Sequence, residues 1–144
     1  MELQLSEIVI RLAFAAIVGS LVGLERELHG TTAGLKTHAL VCVGATIFTV
    51  ASFQFAADSN GIDPSRIAAG IVTGIGFLGA GTIFMSKNKV HGLTTAANIW
   101  VVAALGLIIG IGEYYFALVA AIVIFIILLI GGILEKKVLH TKKD

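Results

Sequence analysis

Nine residues carry most of the chemistry this sequence offers: the consecutive charges Glu25, Arg26 and Glu27, then Lys36, Thr37 and His38, then Thr94, Thr95 and Asn98. Successive residues on a helix point about 100° apart, so at least one of the three consecutive charges must face protein. Glu25 and His29 stand four apart, the spacing at which a carboxylate and an imidazole can share a proton or a cation; a solvated helix end explains the pair equally well. Magnesium or calcium needs several oxygen ligands, whereas the acids here divide into Glu25 and Glu27 near one set of apolar-segment ends and Asp58, Asp63 and Glu113 near the other. No cofactor is expected, a magnesium ligand among these acids stays unassigned, and none lies in the middle of an apolar run. His29, His38, His91 and His140 lack metal-ligand spacing with cysteine or acids, and no nucleophile-base constellation appears, so an enzyme is not expected.

The elements that must position these residues are membrane helices. Hydrophobic residues form 57% of the 144 positions, charged residues 13%, and mean hydropathy is +0.98, a mix that excludes an ordinary soluble domain. A net charge of +1 argues against nucleic acid as a partner. Cys42, the one cysteine, sits inside an apolar run and reads as a small packing residue. Glu2 and Glu7 precede the first apolar segment without a basic stretch, so a removable signal peptide is not expected.

Five spans are expected, at about 8–24, 39–57, 67–85, 94–112 and 116–134, giving an all-α polytopic helical bundle over 1–134 with a basic cytoplasmic tail at 135–144. Arg26, Lys36, Lys87, Lys89, Lys136, Lys137, Lys142 and Lys143 all fall on one side, against Arg66 on the other and Arg11 inside the first span, where it can snorkel outward. The positive-inside rule then places the amino terminus outside and the carboxyl terminus in the cytoplasm. Four lysines in the tail also suit anionic lipid.

Shifting the chain by 58 positions lays Gly23 on Gly81 and Gly34, Leu35, Thr37 and Ala39 on Gly92, Leu93, Thr95 and Ala97. Spans one and two therefore read as a parallel repeat of spans three and four, with a fifth helix added. Small residues set the expected packing. Gly19-x-x-x-Gly23 and Gly70-x-x-x-Gly74 permit close helix approach, within one subunit first and across a dimer second. Gly70, Gly74, Gly76, Gly79 and Gly81 crowd the third span, which is expected to be a centrally packed helix, the alternative being a locally broken one lining an ion path. Trp100 is expected to anchor at the interface or pack.

Two stretches resemble the MgtC/SapB family of bacterial inner-membrane proteins. The first is Gly23-Leu24-Glu25-Arg26-Glu27, Ala33-Gly34-Leu35-Lys36-Thr37-His38 and Gly44-Ala45; the second is Gly74 to Ile83, Gly92-Leu93-Thr94-Thr95-Ala96-Ala97 and Trp100. The resemblance implies a bacterial cytoplasmic-membrane protein associated with growth in low magnesium and, in pathogens, with virulence through survival inside phagocytes. It also implies, for some members, restraint of the proton-driven ATP synthase. Carried over residue by residue, the motif positions are Glu25, Arg26, Glu27, Gly34, Thr37 and His38, with Gly79, Gly81, Gly92, Thr94, Thr95 and Asn98. Lys36 stands where an arginine is common, keeping charge but losing the planar fork. Many members add a soluble regulatory domain after the last span, while this sequence has a lysine-rich segment there.

The expectation is thus a non-enzymatic inner-membrane protein linked to magnesium homeostasis, regulatory through contacts within the bilayer. Its expected partners are lipid, a second copy in a homo-oligomer (a dimer first), and ATP synthase or another membrane complex. The alternative is a magnesium or small-solute transporter or channel using the glycine-rich third span and the Glu25-Arg26-Glu27 cluster.

Overall fold

The computed structural model describes residues 3–58 and 63–141. Five helices form an all-α bundle: α1 (Leu5–Leu28), α2 (Leu35–Asp58), α3 (Ser65–Gly81), α4 (Leu93–Ile111) and α5 (Tyr114–Thr141). Between α3 and α4 lies a two-stranded hairpin, β1 (Phe84–Ser86) and β2 (Lys89–His91). Four of the helices, α1, α2, α4 and α5, are long and apolar enough to cross a membrane. At 17 residues α3 is shorter, spanning about 26 Å at 1.5 Å per residue, against a hydrocarbon core of about 30 Å. The outward faces carry large apolar side chains such as Ile17, Leu21, Phe48, Phe77 and Ile126, as a lipid-facing surface requires.

The centre belongs to α2 and α4. Of the described helices, α2 touches α1, α3 and α4, and α4 touches all four others. His38 meets Asn98, Thr46 meets Gly106 and Thr49 meets Gly110, so position rises along both helices together and the pair is parallel. Gly23 lies against Gly34 and Leu35, and Gly19 against Ala39 and Cys42, which makes α1 antiparallel to α2. Gly79 against Ala96 gives the same relation between α3 and α4. The two helical hairpins therefore run in the same sense, as the 58-residue shift requires. The fifth helix leans on α1 and α4, with Phe14 and Tyr114 in edge-to-face contact at 5.5 Å.

Close approach, not hydrophobicity, holds these helices together, because lipid is as apolar as leucine. A Cβ on Gly106 would overlap the Cys42 carbonyl oxygen, and one on Gly110 would stand 2.5 Å from Thr49 Cβ. Thr46 Oγ1 uses the space so gained, lying 2.8 Å from the Gly106 carbonyl across the interface and 3.0 Å from its own helix's Cys42 carbonyl. Such an interhelical bond contributes on average about 0.6 kcal/mol.

The third helix differs from the expectation. It is unbroken, yet only Ile71, Ile75 and Gly79 are buried, and a Cβ on Gly70, Gly74, Gly76 or Gly81 would meet nothing within 4 Å. It is a peripheral helix, because Ile71, Ile75 and Gly79 dock on α4 while its other glycines meet no neighbour. It also stops at Gly81 instead of continuing to Met85, and the following residues form the hairpin. Lys87 and Asn88 turn that hairpin at φ 46° and 61°, the conformation of a tight two-residue connection. Gly92 then starts α4 at φ +86°, where a Cβ would overlap the Thr82 carbonyl oxygen. The expected tail is helical as far as Thr141, and Lys142 and Lys143 lie outside the described residues.

The start of α3 carries a testable cap. Asp63 accepts hydrogen bonds from the Ser65 hydroxyl at 2.7 Å and the Ser65 amide at 2.9 Å; these, with the Arg66 charge, hold its carboxyl below the usual aspartate range. Because the folded pKa is depressed, this contribution is complete above the ordinary carboxylate pKa and disappears as pH falls through the lowered one. Acid titration followed by amide exchange at Ser65–Ala68 is expected to show a protection loss in that window, absent from Asp63→Asn. An identical acid response in both proteins would refute the cap.

Candidate functional site: a buried polar cluster where α1, α2 and α4 meet

The last turns of α1 separate the three consecutive charges by direction. Glu25 points inward and is 5% exposed; Arg26 is largely covered, with Nη1 3.4 Å from Glu25 Oε2; Glu27 points away. Glu27 has a distinct task. Its Oε2 accepts the Leu35 amide at 2.8 Å, satisfying one of the α2 amides that no helical carbonyl can reach and placing negative charge at that helix start. The Thr31 hydroxyl lies 2.9 Å from the Arg26 carbonyl and 3.0 Å from that of Ala33, tying down the loop between the helices.

Two histidines stand at this end of the bundle on different elements, His29 directly against Glu25. His29 Nδ1 lies 3.1 Å from Glu25 Oε1 and 2.9 Å from the Glu25 carbonyl; both are acceptors, so that nitrogen carries a proton. The far side of the His29 ring reaches Gly132 of α5, 3.6 Å from where a Cβ would stand. His38 is fully buried in the first turn of α2. Its Nδ1 donates to the Gly34 carbonyl at 2.8 Å, which leaves Nε2 of the neutral ring to accept from Asn98 Nδ2 at 3.1 Å. That tautomer is assigned from the partners, and it makes the His38–Asn98 bond a link between α2 and α4.

Of the nine residues singled out in the sequence, the fold thus gathers Glu25, Arg26, His38, Thr95 and Asn98 into the covered end of the bundle. Glu27 caps α2, while Lys36, Thr37 and Thr94 are exposed. Among the proposed packing glycines, Gly19 and Gly23 lie tightly against α2 and Gly79 is in ordinary contact with α4; Gly70, Gly74, Gly76 and Gly81 lie open. Gly106 and Gly110 escaped the sequence reading, although their small-x-x-x-small spacing was there to be read. Arg11 also departs from expectation. Instead of snorkelling it turns inward at 8% exposure and donates from Nη1 to the Gly110 carbonyl at 2.6 Å, placing a cation on the C-terminal end of α4.

The cluster can hold charge and protons at one end of the bundle. It offers one buried carboxylate, a guanidinium and two imidazoles beside the α1–α2 loop. Among the described residues no three His, Cys, Asp or Glu side chains converge as metal ligands would. The repeat shows why the cluster occurs once: Glu25, Arg26 and Glu27 correspond to Ile83, Phe84 and Met85, which lie in the hairpin segment.

Apolar helices of spanning length, ends rich in polar groups and an interior closed by small residues define a multi-pass membrane protein. The chain belongs to the MgtC family, whose model matches residues 12–137. It is similar to the protein named "Putative magnesium transporter YhiD" of Escherichia coli K12, 44% identical over 128 residues, covering 85% of this chain and 60% of that one. It is also similar to Protein MgtC of Salmonella typhimurium LT2, 45% identical over 116 residues (81% and 48% covered), and to Protein MgtC of Brucella abortus, 48% identical over 113 residues (78% and 46% covered). The chain therefore spans about half to three fifths of the length of these relatives. No solved structure matches it.

Proposed function

We propose that this chain is a non-enzymatic protein of the bacterial inner membrane, linked to magnesium homeostasis and acting as a regulator through contacts with other membrane proteins. The observation that carries the reading is where the buried charge sits. Arg11 closes one end of the α1–α2–α4 interior and the Glu25 cluster the other, while Ala15, Val18, Cys42, Val102 and Leu105 fill the space between. The buried threonines of that interval, Thr46 and Thr49, spend their hydroxyls on backbone carbonyls. An ion crossing such an interior would lose hydration without ligands to replace it. The names of the relatives support the magnesium link, and the cluster lies on the end that the positive-inside rule assigns to the cytoplasm, with the amino terminus outside. A partner membrane complex, with ATP synthase the one implied by the family resemblance, or a second copy would engage this end.

Magnesium uptake into liposomes containing the pure protein tests the reading. Flux no greater than in protein-free liposomes is expected, with ATP synthase subunits or another complex recovered in a mild-detergent purification. Saturable flux abolished by Glu25→Gln would instead establish the transporter.

A further inference from the structure

Two adjoining cavities on the α3 side of the bundle make up an amphipathic cleft. The larger, about 670 Å³, lies between α2 and α3 and is lined by apolar groups including Leu40, Gly44, Phe48, Gly70 and Gly74. The smaller, about 290 Å³, sits at its hairpin end beside Thr32, Thr37, Gly81, Thr82 and Phe84. Val41 and Leu78 line both, so the apolar slot and the polar vestibule adjoin. The slot exists because Gly44, Gly70 and Gly74 each leave open space where a side chain would stand.

Charge identifies the occupant. Phe84 pairs with His91 and Ser86 with Lys89 across the hairpin, so these four side chains share one face, and Phe84 on that face lines the vestibule. Lys89 and His91 therefore lie on the same hairpin face as Phe84, at the rim of the vestibule and not in its lining, and Lys36 precedes the lining residue Thr37 in α2. Among the described residues no carboxylate lines either cavity, and the nearby Glu27 is engaged by the Leu35 amide. Among the described residues the Thr32 and Thr37 hydroxyls have no hydrogen-bond partner, while Thr82 donates to the Gly79 carbonyl.

We propose that this cleft binds one anionic phospholipid, an acyl chain lying in the α2–α3 slot and the phosphate in the Thr32–Thr37 vestibule between Lys36 and Lys89. An apolar helix would fill the slot but leave the vestibule's hydroxyls and the cations at its rim unmatched. A zwitterionic lipid would fill both while neutralising less of the positive charge. The site is separate from the Glu25 cluster and does not depend on the regulatory reading.

The test reconstitutes the full chain in nanodiscs of phosphatidylethanolamine and phosphatidylglycerol, re-extracts it in mild detergent, and quantifies retained lipid by mass spectrometry. Wild type is expected to keep about one phosphatidylglycerol per chain, enriched about tenfold over the disc composition. Gly74→Leu, which fills the slot where space is open, is expected to abolish retention. Lys36→Gln with Lys89→Gln is expected to keep a lipid but lose the anionic preference. Gly76→Leu, on the same helix outside both cavities, controls for folding and is expected to match wild type. Retention unchanged by Gly74→Leu, or no anionic preference in wild type, overturns the proposal. So does efficient disulfide cross-linking of Gly74→Cys between two chains in the Cys42→Ala background, which would make a second copy the occupant.

Discussion

Gly106→Leu is expected to destabilise the bundle by about 3 kcal/mol, the upper part of the usual range for overpacking a tight interface. Leucine is a better helix former than glycine, so any loss comes from packing and not from propensity. The first side-chain carbon would already overlap the Cys42 carbonyl oxygen, forcing α2 and α4 apart and breaking the bond from the Thr46 hydroxyl to the Gly106 carbonyl. Reversible unfolding in mixed micelles measures it, with Gly76→Leu as the neutral companion because its site is open. Equal stability of the two variants would show that the central pair is not held by this contact.

Glu25→Ala is the second large effect, expected to cost about 3 kcal/mol because it leaves the Arg26 guanidinium covered by protein without its carboxylate and removes the acceptor beside His29. The guanidinium is already hard pressed, since its Nε is buried and unpartnered among the described residues. Removing both charges should therefore restore much of the loss, and the double variant Glu25→Ala/Arg26→Leu is expected to be more stable than Glu25→Ala alone. A double-mutant cycle reads the coupling directly. If the double variant merely sums the two single losses, the residues act independently and the cluster is not a unit.

The glycines show where sequence reading succeeds and where it fails. Small-x-x-x-small spacing marks a helix face on which another helix could lie closely, and at Gly19 and Gly23 another helix does. The same spacing at Gly70 and Gly74 meets empty space. Spacing records what a face permits, whereas occupancy depends on where the neighbouring helix is carried by its own contacts. Ile71 and Ile75 dock α3 on α4 by another face, so the glycines are left lining a cleft.

The polar residues divide in the same way. That Glu25, Arg26 and Glu27 point in different directions follows from helix geometry alone, but which of them turns inward does not. The choice falls to the adjoining loop, which brings the Leu35 amide to Glu27 and leaves Glu25 facing the bundle. His38 and Asn98 lie sixty positions apart, and no local pattern signals their bond. Arg11 could equally have reached lipid headgroups until α4 offered an unsatisfied carbonyl at its end.

The sequence by itself determined a membrane-embedded helical bundle, its repeat and the end at which its charges gather, because hydropathy, span length and small-residue spacing are local properties that act before any helix meets another. Only the tertiary structure decided that α2 and α4 form the centre, that α3 is an edge helix beside an open cleft, and that Glu25, His38 and Asn98 share one buried end. Those outcomes depend on which carbonyls and small residues approach within bonding distance, and that is a property of the packed helices together.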